Sequence, residues 1–404
     1  MNRNGSLAAL VGVVLIGMTG FGVFLPIFPF LALHLGANAT ATTIAMGCYS
    51  LGQFIASPWW GRLSDRVGRK PILIVGLVGN CISYLILSQA QSVEMLAAAR
   101  LFGGLMAGNV GAAFAAAADL ADDKTRARNM GLLGAAVGLG FIAGPALGAV
   151  LIGGAPDSQS FSQVCLISAG LAALAALVAF ALFRESLPRE ARRPAGAPRV
   201  RRTTLLLTRP ALQRFIAVML VMITAQALME STFGLWADAA LQWGPRQVGY
   251  ALAGLGVGAV LLQGGAAGRV SRGLGERTML IVGLGLLVAG FGGMAAAHSE
   301  SVLIVSLAVL VTGIGLATPA LNALIAEQAA AEERGAVMGL SQSASALGRV
   351  IGPMGAGAIF DAFGHGAPFA IAATLMLGAL YAATSARVLH PLSLAERGMQ
   401  SERR

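Results

Sequence analysis

The sequence predicts an all-α integral membrane protein with twelve transmembrane helices arranged as two pseudo-symmetric six-helix bundles. Three observations predict this fold class: an apolar composition, apolar runs of membrane-spanning length, and an internal repeat. Hydrophobic residues make up 56% of the 404 residues and charged residues only 11%, and the mean hydropathy is +0.75. In a soluble domain roughly a quarter of the residues are charged, so this chain has too few charged residues to cover a water-facing surface. Lipid is therefore the expected solvent.

The apolar runs set the number of helices, because a helix of roughly twenty residues crosses the bilayer core. The predicted helices cover residues 6–34, 41–60, 71–90, 94–118, 129–153, 161–183, 210–238, 247–267, 278–297, 301–326, 336–360 and 366–388.

The internal repeat indicates that the twelve helices are two copies of six. Gly61–Leu77 recurs as Gly268–Leu284 at an offset of 207, with nine of seventeen positions identical. Gly140–Gly148 recurs as Gly348–Ala356 at an offset of 208. A nearly constant offset is hard to obtain by chance over about eighty residues, and such repeats in apolar chains are typical of transporters built from two halves.

The repeat and the charge distribution together predict the domain organisation. We expect bundles at residues 1–184 and 210–388, a linker at 185–209 and a tail at 389–404. With the N-terminus placed in the cytoplasm, 25 of the 28 Lys and Arg residues fall on that side. This asymmetry follows the positive-inside rule, so both termini are expected to be cytoplasmic. The proline- and arginine-rich linker is expected to be a solvated tether near anionic lipid.

The same charge distribution excludes other function classes. The net charge of +10 arises from short basic loops beside apolar runs, so it does not indicate a nucleic-acid partner. The three cysteines lie inside apolar runs and carry no metal-ligand spacing. The histidines are scattered along the chain, at His34, His298, His365 and His390. We therefore expect no metal, no cofactor and no enzymatic activity, which leaves a membrane enzyme or a non-transporting receptor as a remote alternative.

One charged motif follows the second predicted span. Gly61 is expected to permit a close helix contact and Gly68 a tight turn. Asp65 is the only acid among basic neighbours such as Arg66 and Arg69. It should remain ionised, and it could cap the N-terminus of a neighbouring helix. The alternative is that these charges only set topology.

Together these features carry a family resemblance over nearly the whole chain. Six plus six helices, a basic central loop and the sequence GRLSDRVGRK resemble the major facilitator superfamily. Ala118–Gly131, followed by Gly138–Gly148, is similar to the drug:proton antiporter group, and the pattern is closest to that of tetracycline efflux pumps. The resemblance identifies an antiporter motif at the end of the fifth span, formed by Gly140, Gly144, Pro145 and Gly148.

The resemblance also implies a conformational latch. Asp65 and Arg69 are expected to form it with Asp119 and to hold the outward-facing state, while Gly61, Arg66 and Gly68 belong to the same motif. The second copy of the repeat carries Arg272 where Asp65 stands, so the latch is expected to be stronger on one side of the pseudo-twofold axis.

Three ionisable residues lie well inside predicted spans: Arg100, Glu230 and Arg349. A charge at a helix centre costs roughly 2.5–3.5 kcal/mol on insertion scales, so none of the three is expected to face lipid. Arg100 is linked by the resemblance to proton coupling, with Asn109 further along the same helix. A structural hydrogen-bonding role for Arg100 is the alternative.

Glu230 is the sharpest candidate for proton coupling. Gln226 precedes it by four residues and therefore lies on the same helix face. The resemblance places this seventh span along the central cavity. Partial withdrawal from water favours the protonated carboxyl group, so Glu230 could take up and release a proton and could also attract a cationic substrate. The alternative is a fixed buried ion pair with Arg349 or Arg100.

Arg349 breaks the repeat, because it occupies the position of Phe141 in the first half. We expect a structural role for it, through pairing with Glu230, with Asp361 or with helix carbonyls.

The chain departs from the tetracycline pumps at two positions. Those pumps carry aspartates in the first and third spans, where this chain has Gly17 and Ser83. Transport of tetracycline is therefore left open, and Glu230 is expected to have taken over the coupling.

These residues and the family resemblance together predict a proton-coupled antiporter of a bacterial inner membrane that works by alternating access, and the resemblance implies a monomer. Its expected partners are protons, membrane lipid and a hydrophobic small molecule, for which a cationic charge is left open. The alternative is an importer or uniporter of the same fold for a metabolite such as a sugar or an organic acid.

Overall fold

The computed structural model describes residues 3–122, 125–153, 157–188, 209–262, 273–329 and 333–385. The start of the second repeat copy, including Arg272, lies outside these residues, as do most of the predicted linker and the tail. The regular elements within the described residues are all helices.

The first half contains eight helices with described bounds. They are α1 (Arg3–Phe24), α2 (Phe28–His34), α3 (Ala39–Val67), α4 (Arg69–Ser88), α5 (Val93–Met106), α6 (Asn109–Asp119), α7 (Arg126–Ile152) and α8 (Ser158–Leu182). The second half contains six: α9 (Pro210–Leu241), α10 (Pro245–Leu261), α11 (Glu276–Ala295), α12 (Glu300–Glu327), α13 (Arg334–Phe363) and α14 (Ala367–Ser385).

These fourteen helices form the twelve predicted segments, because the first and fourth segments are each broken into two helices. Among the described helices, nine segments are long and apolar enough to cross a membrane by length and composition. The predicted all-α membrane fold is confirmed. The exact boundaries of the two bundles, the linker and the tail remain predictions.

Both breaks have a local cause. The turn between α1 and α2 covers residues 25–27 and contains Pro26, and a proline lacks the N–H that would continue the helical hydrogen bonds. The turn between α5 and α6 frees the carbonyl of Leu105, which accepts a hydrogen bond from Trp60 Nε1 at 2.6 Å. A side chain of α3 thus satisfies a backbone group that the break exposes.

The charged motif after the second span is not the loop that the sequence predicts. Residues 61–67 continue α3 for almost two turns, and Gly68 alone turns the chain into α4 with a φ of 118°. Among the described residues the expected close helix contact at Gly61 is not formed, because a Cβ added there would meet none of them within 4 Å.

Each half packs around its own apolar core. One cluster of buried residues runs from Leu212 to Ala383 in the second half, and two clusters lie within the first half. Phe30 packs against clusters of both halves. The separate cores make each half a packed unit in its own right.

Two antiparallel helix pairs join the halves. The first pair is α3 with α13: a Cβ on Gly47 would lie 3.2 Å from Pro353 Cβ, and one on Gly357 would collide with the Ala39 carbonyl oxygen. These contacts involve the N-terminal half of α3 and the C-terminal half of α13. We call this end of the molecule the far end.

The second pair is α7 with α10. A Cβ on Gly249 would lie 2.8 Å from the Pro145 carbonyl oxygen, and one on Gly256 would lie 2.8 Å from Ile142 Cγ1. The opposite end, where Lys70 and Arg209 lie, is called the basic end. Among the described residues, the close glycine contacts between the halves stop before the basic end.

Candidate functional site

A cavity of about 1010 Å³ lies between the two halves. Residues from α1, α3, α4, α5, α6 and α7 line one side, and residues from α9, α10, α12 and α13 line the other. Its wall reaches Gly131, five residues into α7 and therefore about 7.5 Å from the basic end of that helix. At the far end, Pro145 and Pro353 border the cavity where the halves are in contact. The cavity therefore opens toward the basic end.

Glu230 of α9 lines this cavity, and its side chain is exposed to it. Arg349 of α13 is also exposed and lies within electrostatic reach of Glu230. Within the described residues, no ion pair of 4.0 Å or less joins Glu230 to Arg349 or to Arg100. The fixed ion pair that the sequence leaves as an alternative is not formed.

The other acidic partner expected for Arg349 is engaged elsewhere. The carboxylate of Asp361 accepts hydrogen bonds from Thr40 N at 2.9 Å and from Thr40 Oγ1 at 2.6 Å. Arg349 and Phe141, which occupy equivalent positions of the repeat, both line the cavity. The duplication thus places an aromatic ring and a cation in corresponding positions of the two walls.

Arg100 of α5 is a buried cation surrounded by rings. Its side chain is 6% exposed, and the Tyr49 ring centroid lies 4.5 Å from its Cζ. The rings of Phe28, Phe21 and Phe24 follow at 5.5, 5.7 and 5.7 Å. Within the described residues Arg100 Nε has no hydrogen-bond partner, and the rings provide much of the local environment of the guanidinium, unlike the hydrogen-bonding role that the sequence leaves as an alternative.

The two polar neighbours expected in the site behave differently. Asn109, the first residue of α6, lines the cavity, and its buried Oδ1 has no partner among the described residues. Gln226 is not among the described lining residues, and its buried Nε2 likewise has no partner in the described part of the chain. The four-residue spacing from Glu230 therefore does not bring Gln226 to the cavity wall.

The glycines of the antiporter motif pack α7 directly against α1. A Cβ on Gly140 would lie 2.5 Å from Met18 Cβ, and one on Gly144 would lie 2.6 Å from Gly22 Cα. A Cβ on Gly148 would lie 2.5 Å from the Val23 carbonyl oxygen. These approaches exclude any side chain at the three positions.

Pro145 of the same motif lies between three helices. Its ring contacts Gly22 of α1, its carbonyl oxygen approaches Gly249 of α10, and its side chain lines the cavity. The motif therefore joins α1, the cavity and the contact between the halves.

At the basic end, one guanidinium group joins two carboxylates. Arg69 Nη1 lies 2.7 Å from Asp65 Oδ1, and Arg69 Nε lies 2.9 Å from Asp119 Oδ2. Arg69 also donates to Ser64 Oγ at 3.1 Å, whereas Arg66 is exposed. The structure brings the three expected latch residues together, and these three partners of Arg69 all belong to the first half.

The expected capping role of Asp65 is filled by a different acid. Glu185, which follows α8, accepts hydrogen bonds from the backbone N–H groups of Arg69 at 2.8 Å and Lys70 at 3.1 Å. These groups open α4, so Glu185 satisfies its N-terminus while Asp65 pairs with a side chain. The sequence analysis did not single out Glu185, although an acid at the start of the basic linker was the available signal.

Comparison with known proteins identifies the architecture. Residues 10–262 and 224–401 match the Major Facilitator Superfamily. The chain belongs to the major facilitator superfamily. This confirms the family that the six plus six helices, the basic central loop and the charged motif resemble. The family and the fold are those of membrane transporters, so the chain is a multi-pass membrane protein of this superfamily.

Within the superfamily, the relatives include drug-resistance proteins. The chain is 30% identical over 364 residues to tetracycline resistance protein, class D, of Salmonella ordonez, which covers 88% of this chain and 89% of the relative. It is 29% identical to the class B protein of Escherichia coli, with 88% of each chain covered. Multidrug resistance protein 1 of Bacillus subtilis (strain 168) is 28% identical, with 89% of this chain and 90% of the relative covered.

Solved structures of superfamily members share the fold. The human organic anion transporter MFSD10 (TETRAN) has a TM-score of 0.70 and 24% identity, covering 95% of this chain and 100% of that chain. A bacterial homologue of the human lysosomal transporter Spinster has a TM-score of 0.77 and 14% identity, covering 95% of each chain.

Proposed function

We propose that this protein is a proton-coupled antiporter that exports a hydrophobic small molecule from a bacterial cytoplasm by alternating access. The observation that carries the proposal is the position of Glu230, a carboxylate that is exposed to a largely apolar cavity between two halves and forms no ion pair with the described residues. The tetracycline and multidrug resistance proteins among the relatives support export rather than import.

The geometry supports an inward-facing state. We take the basic end as cytoplasmic, because positive residues remain on that side of a membrane. Substrate then enters the cavity from the cytoplasm, and rocking of the halves opens the far end. Residues 1–184 and 210–388 act as the two rigid halves, the linker 185–209 and the tail 389–404 remain cytoplasmic, and one chain suffices without a cofactor.

Proton exchange is assigned to Glu230. A proton arriving from the far side neutralises the carboxylate, weakens its attraction for the substrate and is released to the cytoplasm in the inward-facing state. Proton and substrate then occupy the same carboxylate alternately, which makes the exchange obligatory. Arg100, Asn109 and Arg349 act on this site as neighbours within the cavity wall.

The two sequence motifs are assigned to conformational control. Asp65, Arg69 and Asp119, with Gly61, Arg66 and Gly68, form the latch of the cytoplasmic end. When that end closes, the end of α3 approaches the beginning of α13, and Gly61 then gains the close contact that it lacks in the open state. The glycines of α7 keep α1 and α7 moving as one body.

The proposal is tested with purified protein in proteoliposomes, by following proton movement and the transport of a fluorescent hydrophobic dye. Glu230→Gln is expected to reduce pH-driven transport by about tenfold or more while leaving exchange of dye for dye intact. Asp238→Asn, which removes the other acid of α9 outside the cavity lining, is the matched control and should behave as wild type. Full proton coupling in Glu230→Gln would refute the assignment of Glu230. Dye movement that ignores the pH gradient in the wild type would refute the antiporter.

A further inference from the structure

The charges of the cavity do not match a simple cation. Among the described residues that line it, the formally charged side chains are Arg100, Glu230 and Arg349. One carboxylate thus faces two guanidinium groups. A substrate that carries only a positive charge is attracted by Glu230 and repelled by both arginines.

The two arginines differ in their availability to a ligand. Arg100 is 6% exposed, and its guanidinium lies among four aromatic rings that offset its charge. Arg349 is exposed to the cavity and, within the described part of the chain, makes no ion pair, hydrogen bond or ring contact. Its five N–H donors are therefore free to bind an anionic group.

Glu230 and Arg349 present opposite charges to one volume without satisfying each other. Both side chains are exposed to the cavity, and no guanidinium nitrogen of Arg349 lies within 4.0 Å of a carboxylate oxygen of Glu230. A ligand that fills the cavity would displace water from both charged groups, so each offers a position for a complementary group of that ligand.

The rest of the wall suits an apolar body. Phe21 and Phe141 pack edge to face across the first-half wall, with ring centroids 6.1 Å apart. Leu25 and Val311 continue the apolar surface. A flat or bulky hydrophobic framework between the charged groups would be covered by these side chains.

We propose that the cavity is specific for zwitterionic amphiphiles, with the cationic group of the substrate at Glu230, its anionic group at Arg349 and its apolar body against Phe21 and Phe141. The inference rests on the proposed antiport function and adds the substrate class. Arg349 becomes a specificity-determining residue instead of a structural one.

Proton coupling selects a zwitterion over a simple anion. The other titratable side chains facing the cavity are Tyr49 of α3, Arg100 of α5 and Arg349 of α13, and the described lining of α1, α4, α6, α7, α10 and α12 contributes none. Protonation of Glu230 removes its electrostatic attraction for Arg349, so Arg349 would bind an anionic substrate more tightly. The anion and the proton would then be transported together in the same direction. A cationic group competes with the proton for Glu230, which gives exchange.

The test uses one scaffold in four charge states. Norfloxacin carries a carboxylate and an ammonium group, its methyl ester is cationic, its N-acetyl derivative is anionic, and the doubly blocked compound is neutral. Binding of each to purified protein in nanodiscs at neutral pH is measured by fluorescence. Wild type is expected to bind norfloxacin about tenfold more tightly than either singly blocked compound.

Two variants separate the charges. Arg349→Gln should remove the preference for norfloxacin over its ester, and Glu230→Gln should remove its preference over the N-acetyl compound. Arg246→Gln is the matched control, because this arginine lies outside the cavity lining with its guanidinium 6.0 Å from the Tyr250 ring. It should leave all four affinities unchanged.

The possible failures are distinguishable. Norfloxacin binding no tighter than its ester in the wild type, or equal weakening of all four compounds by Arg349→Gln, would overturn the zwitterion proposal. Transport of the cationic ester that still exchanges for protons would then leave the antiporter standing. If no compound exchanged for protons, the proposed antiport function itself would be refuted.

Discussion

Four aromatic rings surround the Arg100 guanidinium, and within the described residues no carboxylate lies within 4.0 Å of it. A buried charge without a counter-ion is costly unless other groups offset it. The negative faces of Phe21, Phe24, Phe28 and Tyr49 can do so, since a desolvated cation–π contact contributes about 2 kcal/mol. The cage also ties α5 to α1 and α3.

Replacing the nearest ring should therefore destabilise the first half. Tyr49→Leu removes the ring whose centroid lies 4.5 Å from Arg100 Cζ, and we expect a loss of about 1–2 kcal/mol in unfolding free energy. Tyr49→Phe keeps the ring and should unfold near the wild-type temperature. Tyr250→Leu, beside the exposed cation–π contact of Arg246, is the control with an effect below about 1 kcal/mol. Thermal unfolding in detergent gives the comparison, and equal midpoints for Tyr49→Leu and Tyr250→Leu would rule the cage out.

At the level of single residues, the charged side chains inside the spans could be predicted from the sequence, but the residues that surround them could not. Arg100, Glu230 and Arg349 are conspicuous because an ionisable side chain inside an apolar run is rare and costly. Tyr49 and Glu185 gave no comparable signal. A tyrosine in an apolar helix and a glutamate at the start of a basic linker acquire their roles only when distant helices approach them.

At the scale of the elements, the packing of α7 against α1 depends directly on glycine. Gly140, Gly144 and Gly148 recur every four residues, so they form one stripe along the helix against α1. A side chain on this stripe would have to displace backbone atoms, which cannot be accommodated by a rotamer change.

Gly144→Ala is expected to weaken both stability and transport. The added Cβ would lie 2.6 Å from Gly22 Cα, and relieving that overlap costs about 1–3 kcal/mol of packing energy. Gly170→Ala in α8 is the control, because a Cβ there meets nothing within 4 Å. We expect it to match or slightly exceed wild-type stability, since alanine favours the helix. Thermal unfolding and dye export should be measured for both, and wild-type transport by Gly144→Ala would contradict this packing.

The pair α3 and α13 carries a polar contact between the halves at the far end. The Asp361 carboxylate near the end of α13 accepts two hydrogen bonds from Thr40, in the first turn of α3. An acid at a helix N-terminus is also stabilised by the helix dipole. The contact therefore favours the state in which the far end is closed.

Asp361→Asn should shift the protein toward the state open at the far end. Hydrogen bonds to a charged group contribute about 1.5–3 kcal/mol, so an approximately tenfold shift in the conformational equilibrium is expected. Spin labels at Gln91 and Ser301, one in each half at the far end, would report it as an increased population of long distances by double electron–electron resonance.

A matched acid controls for the general effect of losing a helix cap. Asp157 lies at the same end but caps α8 within the first half, where the side-chain and backbone hydrogen bonds of Ser160 hold its pKa below the ordinary value. Asp157→Asn should leave the label distances unchanged. The same shift in both variants would argue against a specific role of Asp361.

The predicted segments match the helices, while their breaks and ends depend on tertiary contacts. The sequence predicts one helix over 94–118, but Trp60 of α3 binds the carbonyl freed by the break before Asn109. The second span was predicted to end at residue 60, whereas α3 continues to Val67. Hydropathy predicts only the part of a helix that lies in lipid. The part that continues into water carries charged residues, so a prediction from hydropathy ends the helix too early.

At the scale of the whole molecule, duplication produces two halves that meet through antiparallel helix pairs. Each helix pair can form one contact region at each end of the molecule. In this structure the far-end contacts are made, between α3 and α13 and between α7 and α10. The sequence could predict the duplication from a constant offset. It could not predict which end is closed, since both arrangements use the same residues and differ by a few kcal/mol.

The open end can be located by chemical labelling. Gly131 lines the cavity close to the basic end, and a Cβ there meets nothing within 4 Å, so Gly131→Cys should fold normally. In a background with Cys48 and Cys81 replaced by alanine, a membrane-impermeant maleimide should modify it about tenfold faster in everted vesicles than in right-side-out vesicles, in line with an inward-open preference of about 1.4 kcal/mol.

Two further variants make the labelling result decisive. Gln159→Cys, which is exposed at the far end, should react in right-side-out vesicles and thus report the orientation of the vesicles independently. Adding Asp361→Asn to Gly131→Cys should slow modification from the cytoplasmic side, because loss of the far-end contact depopulates the inward-facing state. Equal modification of Gly131→Cys from both sides, with Gln159→Cys still reacting from one side only, would mean that the resting protein does not prefer the state in which the basic end is open.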